Sequence, residues 1–100
     1  MDFEWDDGKN AINLAKHDID FVDAIHVFLD GKRIQREDTR QNYNESRFQT
    51  IGITDLGIVF VIYTERNSGG TIRIISARKA NSRERKSYDK GFLKPYAKVV

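Results

Sequence analysis

The stretch that decides the fold is TIRIISARKANSRERKSY, residues 71–88. Its first half is rich in β-branched residues, which favours a strand over 71–77. Asn81, followed three residues later by Glu84, is a helix-start signal, and the predicted helix ends at Gly91. The stretch carries four arginines and two lysines against one acid. Such an excess of cations at a strand–helix corner predicts a polyanionic partner.

Strict alternation along 71–77 divides its side chains between the two faces of a sheet. Ile72 and Ile74 are predicted on one face, and Arg73, Ile75 and Ala77 on the other. The isoleucines then pack against the layer beneath the sheet. Arg73 is left to project away from that layer.

Charge is unevenly spread along the chain. Residues 1–31 contain eight acids and two lysines, whereas residues 73–100 contain nine basic and two acidic residues. A molecule with this polarity can bind a nucleic acid with one end and a basic partner with the other.

The length of 100 residues predicts a single domain, 1–100, in which 91–100 is a tail that Pro95 keeps from continuing as a regular helix. The absence of cysteine excludes disulfides, thiolate metal sites and a cysteine nucleophile. No apolar run approaches the ~20 residues of a membrane span. The acidic start lacks the features of a signal peptide. We therefore expect a cytoplasmic protein with no membrane contact.

Two short helices are predicted in the acidic part. The first covers 9–16 and ends at Asp18, a residue able to adopt a left-handed cap. The second covers Phe21–Leu29, with Asp20 as its N-cap and apolar residues at helical spacing. Each is marginal alone in water and needs an apolar surface to lie on.

The sheet that supplies this surface is predicted from alternating and apolar runs. A bulge is expected near Thr50, where the alternation breaks. The strands are predicted at 2–5, 33–36, 47–54, 58–63 and 71–77, with turns at 55–57 and 67–70. The fold class is therefore α+β, with two N-terminal helices packed on a three- or four-stranded antiparallel sheet and a basic C-terminal helix.

The chain contains, in order, the motifs FEWD at 3–6, KH at 16–17, ESR at 45–47, YTER at 63–66, IRIISAR at 72–78 and Glu84-Arg85 with Tyr88. Taken together, these motifs resemble the BrnT family of toxins over roughly residues 3–91. The departures from the family pattern are the somewhat long turn at 66–70, Asp18, where members often have glycine, and the tail after Gly91.

The resemblance implies a RelE-like fold and a ribonuclease that arrests translation and growth as the toxin of a type II toxin–antitoxin system. It implies a BrnA-like antitoxin with a ribbon-helix-helix domain and a heterotetrameric complex. Operator DNA would be contacted only through the antitoxin. No metal and no cofactor are expected.

RNA can be cleaved without metal when its own 2′-hydroxyl attacks the adjacent phosphorus. The enzyme then supplies a base, an acid and cations for the growing phosphate charge. Arginine suits the last role because its planar fork can grip two phosphate oxygens. The candidate catalytic residues are His17, Glu65, Arg78 and Arg83.

Other residues are candidates for holding the RNA. Arg47 and Arg73 are expected to face the same concave side from neighbouring strands. The complete set is Lys16, Arg47, Tyr63, Arg66, Arg73, Arg85 and Lys86. Structural roles stay open for several candidates: His17 as a helix cap, Lys16 as a solvated lysine, and Glu65 in a cross-strand pair.

A second interpretation uses the same charge without chemistry. The basic 73–86 corner would then only grip phosphate or an acidic partner, as a nucleic-acid or protein-binding module. Cleavage that survives chelation of metal separates the two interpretations.

Overall fold

The computed structural model describes residues 1–97. The last part of the predicted tail, 98–100, lies outside the described residues. The elements in chain order are β1 (Asp2–Glu4), α1 (Asp7–His17), α2 (Phe21–Ala24), a 3₁₀ helix (Ile25–Leu29), β2 (Ile34–Asp38), β3 (Arg47–Thr54), β4 (Gly57–Arg66), β5 (Thr71–Lys79) and α3 (Ser82–Lys90).

The strands form one five-stranded sheet in the order β1-β5-β4-β3-β2, with β4 at its centre. The predicted α+β class is confirmed. The prediction of three or four antiparallel strands is wrong, because β1 joins as a fifth strand and runs parallel to β5. Asp2 pairs with Thr71, so this contact spans most of the chain. Local sequence patterns carry no signal for such a pairing.

Each face of the sheet buries its own core. On the side we call the α2 face, α2 and the 3₁₀ helix pack against odd-numbered residues of β4 such as Val61 and Tyr63. On the opposite side, the α3 face, Phe60 and Ile51 pack with Ala80 and Leu93. The central strand is therefore covered on both faces, which accounts for its continuous apolar run.

A bulge lies on β5 and not near Thr50. Ile62 pairs with Ser76 and Tyr63 pairs with Ile74, which leaves Ile75 without a partner. This extra residue reverses the alternation that follows it. Ala77 therefore joins the α2-face core with Ile74, and its predicted place on the opposite face is wrong.

Helix α1 is capped at its start by Asp6, whose carboxylate accepts from the Lys9 N–H, and at its end by Asp18, which has a φ of 57°. Its apolar residue Ile12 does not reach the core, since it is 68% exposed. The helix is instead attached to the sheet by Asn13. The Asn13 amide donates to the Ala77 carbonyl at 2.9 Å and accepts from the Ala77 N–H at 3.0 Å. The Asn13 amide thus makes the hydrogen bonds that a neighbouring strand would make, along the part of β5 that β1 does not reach.

The predicted second helix is α-helical only through Ala24. Asp20 caps it as predicted, by accepting from the Val22 N–H. The chain then tightens into a 3₁₀ helix, whose three-residue period keeps successive side chains on one line. Phe21, Ala24 and Val27, each three residues apart, are all fully buried. Contact with the sheet therefore overrides the α-helical spacing.

Gly52 of β3 marks the closest approach of the 3₁₀ helix to the sheet. A Cβ at this position would lie 2.8 Å from Val27 Cγ1 and 3.1 Å from the Val27 carbonyl oxygen. We expect Gly52→Ala to lower the free energy of unfolding by about 1–3 kcal/mol in urea titrations. Gly31→Ala is the control, because a Cβ there meets nothing within 4 Å. Equal stability of the two variants would contradict this packing.

Candidate functional site

A row of polar side chains crosses all five strands on the α3 face. In register, Asp38 lies beside Arg47, Arg47 beside Thr64, Thr64 beside Arg73, and Arg73 beside Glu4. We call these five residues the charged row. Residues opposite one another on adjacent strands have Cβ atoms about 5 Å apart. Arg47 and Arg73 therefore share a face as predicted, but they are not on neighbouring strands, because Thr64 separates them.

Two further rows run alongside the charged row, one adjacent to it and one beyond that. The nearer one contains Arg36, Gln49, Ile62 and Ser76, and the farther one contains Ile34, Ile51, Phe60 and Arg78. The farther row is covered by α3 and by Leu93. The α3 face is thus divided into an apolar part beneath α3 and a polar part that α3 leaves uncovered. This uncovered polar part, which holds the charged row, is the candidate site.

Two arginines of this face are ion-paired. Arg73 donates to Glu4 at 2.7 Å. Arg78 donates through both terminal nitrogens to Glu84, at 2.7 and 2.9 Å, while its guanidinium lies over the Phe60 ring. Bidentate contact of this kind is strong and fixes the side-chain geometry. Arg78 therefore forms an internal pair between strand and helix.

Glu84 connects this pair to the start of α3. Its carboxylate also accepts from the Asn81 N–H and completes the predicted capping box. Burial alone raises the pKa of Glu84, but the hydrogen bonds from Arg78 and Asn81, with the charges of Arg78 and Arg36, hold it below its ordinary value. Glu84 is therefore an ionised structural partner of Arg78 and a weak proton acceptor.

Arg47 differs from these arginines. Its guanidinium lies over the Tyr43 ring, 4.3 Å from the centroid. Among residues 1–97, its Nε is the one buried side-chain nitrogen or oxygen without a hydrogen-bond partner. No carboxylate of the described residues lies within salt-bridge distance of it. Arg47 thus brings to the candidate site a positive charge that has no ion-pair partner among the described residues.

Asp38 at the end of the charged row is held as an anion. Arg40 donates to it through two nitrogens, each at 2.9 Å, and Tyr43 donates at 3.2 Å. The Arg40 side chain is the main cause that lowers the pKa of Asp38 from 3.8 to about 2. Its side chain is 3% exposed. Asp38 therefore orders the loop that carries Tyr43 and is not available as a base.

This lowered pKa predicts a pH effect on stability. Ionised Asp38 stabilises the fold above its unfolded pKa, and this contribution is lost as the pH falls toward the folded value. We expect the wild type to exceed Asp38→Asn in free energy of unfolding by about 2 kcal/mol at pH 6. Urea titrations should show the difference shrinking as the pH falls from 4 to 2. A stability difference that does not change with pH would show that the Asp38–Arg40 ion pair is not its cause.

The four predicted catalytic residues are not gathered in one place. His17 lies half-buried at the end of α1, in a small cleft beside Ile75 at the edge of β5. Glu65 is exposed near the end of β4 and shares a side of that strand with Tyr63, on the α2 face. Arg78 pairs with Phe60, so Glu65 lies about 16 Å along the strand from it. Arg83 is exposed on α3.

The predicted RNA-binding residues also divide. Arg47 and Arg73 belong to the charged row. Tyr63 is 2% exposed, and its hydroxyl donates to Gln35 on the α2 face. Its buried ring is not presented to a base, so we leave Tyr63 out of the proposed site. The others are exposed and lie apart: Lys16 on α1, Arg66 at the end of β4, and Arg85 and Lys86 on α3.

Sequence reasoning missed Glu4, Arg36 and Gln49. Residues 34–38 form a strand whose even-numbered residues share the α3 face. The two-residue spacing of Arg36 from the apolar Ile34 was the available signal for Arg36. No local pattern indicates that Glu4 reaches Arg73, because β1 pairs with a strand about seventy positions away.

Two absences are limited to the described part of the chain. No helix within 1–97 is long and apolar enough to cross a membrane. The same residues contain no cluster of three or more His, Cys, Asp or Glu side chains placed to hold a metal ion.

Comparison with known proteins gives one match. The family model described as "Ribonuclease toxin, BrnT, of type II toxin-antitoxin system" matches residues 5–84. No curated protein matches the chain. The matched segment contains Arg47, Arg73, Arg78 and Glu84, and excludes β1 with Glu4, most of α3 and the tail. Because the model covers most of the chain, the protein belongs to the BrnT family of ribonuclease toxins of type II toxin–antitoxin systems.

Proposed function

We propose that this chain is an endoribonuclease that cleaves RNA without a metal ion, on the polar part of the α3 face. The observation that carries the proposal is the Arg47 guanidinium, which has no ion-pair partner among the described residues and lies two strands from Arg73 in the charged row. Two strand spacings place these arginines about 10 Å apart. A phosphate bound between them meets cations from both sides.

The proposed reaction is attack of the 2′-hydroxyl oxygen on the adjacent phosphorus. The 2′-O–P bond forms and the P–O5′ bond breaks, which yields a 2′,3′-cyclic phosphate and a free 5′-hydroxyl. One proton leaves the 2′-oxygen and one reaches the 5′-oxygen. Arg47 and Arg73 stabilise the charge that grows on the phosphate oxygens.

Glu4 is the best-placed proton acceptor on this face. All three carboxylates of this face pair with an arginine, but the Glu4 side chain is 41% exposed, whereas those of Asp38 and Glu84 are 3% and 13% exposed. Glu4 contacts Arg73, so a base and a phosphate-binding cation come from adjacent strands. His17 and Glu65 remain predicted alternatives at other places on the surface.

The test is cleavage of a defined RNA in the presence of EDTA, with products analysed for the cyclic phosphate. We expect cleavage to persist with chelator and to fall at least tenfold in Glu4→Gln, since general-base contributions are of order 10²–10⁴. RNA that stays intact but is retained in a salt-sensitive manner would support the non-catalytic binding module instead.

We further propose that the fold is a variant of the RelE-like one, with the basic α3 following the sheet. The partner proposed from the family is a BrnA-like ribbon-helix-helix antitoxin that forms a heterotetramer with the toxin in the cytoplasm. RNA cleavage would then arrest translation when the antitoxin is lost. Light scattering on the co-expressed complex tests the stoichiometry, and growth after toxin induction tests the arrest.

A further inference from the structure

The segment after α3 returns across the α3 face. Leu93 is 7% exposed and packs with Ile34 and Ile51. Three residues later, Tyr96 lies on Arg36 and Gln49, the polar row next to the charged row. The tail therefore covers one end of the candidate site.

Tyr96 is held by a specific set of contacts. Its hydroxyl accepts from Arg36 Nη2 at 2.7 Å and from Gln49 Nε2 at 3.0 Å. The Arg36 Cζ lies over the ring at 3.8 Å from the centroid, and the Arg40 Cζ at 4.6 Å. Gln49 is only 2% exposed. A flat ring thus lies against two guanidinium groups with its polar edge on a buried side-chain amide.

These are the contacts that recognise an unpaired RNA base. Proteins stack such bases on aromatic rings or arginine planes and hydrogen-bond their edges. Side-chain amides are well suited to the edge, because they offer a donor and an acceptor side by side. Tyr96 also forms a shared wall between two clefts of about 440 and 470 Å³. The space around the ring is therefore larger than the ring itself.

The contacts around Tyr96 lie next to the proposed phosphate site. Gln49 is two residues from Arg47 on the same strand and the same face, a separation of about 7 Å. A nucleotide with its phosphate at Arg47 therefore has its base within reach of Gln49. Arg36, however, is fully engaged by the chain itself, since it donates to Gln49, the Lys94 carbonyl and Tyr96.

We propose that Arg36, Arg40 and Gln49 form a nucleobase-binding slot, and that Tyr96 is an internal plug which an RNA base displaces. This inference rests on the proposed function for the identity of the nucleic acid. The tail competes with RNA for the slot, and the Gln49 amide reads the edge of the bound base. Residue 96 lies beyond the segment that the family model matches.

The test measures binding of the four nucleoside 5′-monophosphates and of ribose 5-phosphate by NMR titration. We expect Tyr96→Ala and a chain truncated after Leu93 to bind at least one nucleotide about tenfold more tightly than the wild type. Ribose 5-phosphate, which has no base, should bind all proteins equally. Adding Gln49→Ala to Tyr96→Ala should remove the gain.

Leu29→Ala is the control for the loss of an exposed apolar side chain. Leu29 is 81% exposed and lines neither of the two clefts beside Tyr96. The nucleotide affinities of Leu29→Ala should equal those of the wild type. Unchanged affinity in both Tyr96→Ala and the truncated chain, with folding verified by thermal melting, would overturn the proposal. Weaker binding would also overturn it, because Tyr96 would then itself be the surface on which the base stacks.

Cleavage assays on the same proteins separate this inference from the proposed function. Tighter nucleotide binding without any RNA cleavage would retain the slot and reject the nuclease site. Cleavage by the wild type without a gain in Tyr96→Ala would reject the slot alone.

Discussion

Replacing Arg47 by alanine is expected to lower the rate of RNA cleavage about 10²-fold or more. A preorganised donor aimed at developing phosphate charge is worth this much when it is removed. Arg47 suits the role because no carboxylate of the described residues neutralises it. The rate constant for a defined RNA, measured under single-turnover conditions, is the readout.

Arg47→Lys separates charge from geometry in the same assay. Lysine keeps the positive charge but loses the planar fork, so it should restore RNA affinity more than the rate. The slope of log RNA affinity against log salt concentration should fall in Arg47→Ala by the equivalent of about one phosphate contact. It should return to the wild-type slope in Arg47→Lys. Thermal melts are needed for both, because Tyr43 packs on the guanidinium.

Lys9→Ala is the control for the loss of charge. It removes one positive charge, as Arg47→Ala does, but from the cleft at the edge of β5 that also contains Lys16 and His17. We expect its cleavage rate to stay within about twofold of the wild type. A large loss in Lys9→Ala with full activity in Arg47→Ala would move the active site to that cleft.

Replacing Asn13 by alanine is expected to lower the free energy of unfolding by about 3 kcal/mol or more. The Asn13 side chain is bonded to the Ile19 carbonyl and to both polar backbone atoms of Ala77. Ala77 is fully buried, so its N–H and carbonyl would lose their partners inside the protein. Each unsatisfied buried group costs about 1–3 kcal/mol.

Ile12→Ala is the matched control for that substitution. Ile12 precedes Asn13 on α1 and is 68% exposed, so its removal should change stability by less than about 0.5 kcal/mol. Urea unfolding of both variants is the measurement. Similar stabilities would mean that α1 does not depend on Asn13 for its attachment to β5.

Local rules predicted the parts of the fold that depend on local contacts. The left-handed Asp18, the Asp20 cap and the Asn81–Glu84 capping box were all readable, because each involves residues within three or four positions. The β3 bounds at 47–54 followed from the same kind of pattern. Such signals identify where elements begin and end.

The errors arose where distant parts of the chain meet. The parallel pairing of β1 with β5 and the insertion at Ile75 depend on register between strands, which alternation within one strand cannot reveal. The same limit applies to the predicted site residues, which the structure does not bring together. Glu65 and Arg78 each lie just after a predicted strand. The register between strands places them at different ends of the sheet and on opposite faces.

The charge count likewise predicted a region but not the pairing within it. Six cations in 71–88 indicated a polyanion-binding surface. The structure then shows Arg78 paired with the one acid among them, Glu84. Arg47, which has no ion-pair partner among the described residues, lies outside the basic stretch that was counted.

The central claim is that RNA binds the polar part of the α3 face. It is tested most directly by mapping backbone amide shifts on adding an RNA whose 2′-hydroxyl at the cleavage site is replaced by hydrogen. Our account predicts the largest shifts in 36–38, 47–49, 62–64 and 73–78. Shifts concentrated in α1 around Lys16 and His17, with those strands unchanged, would contradict it.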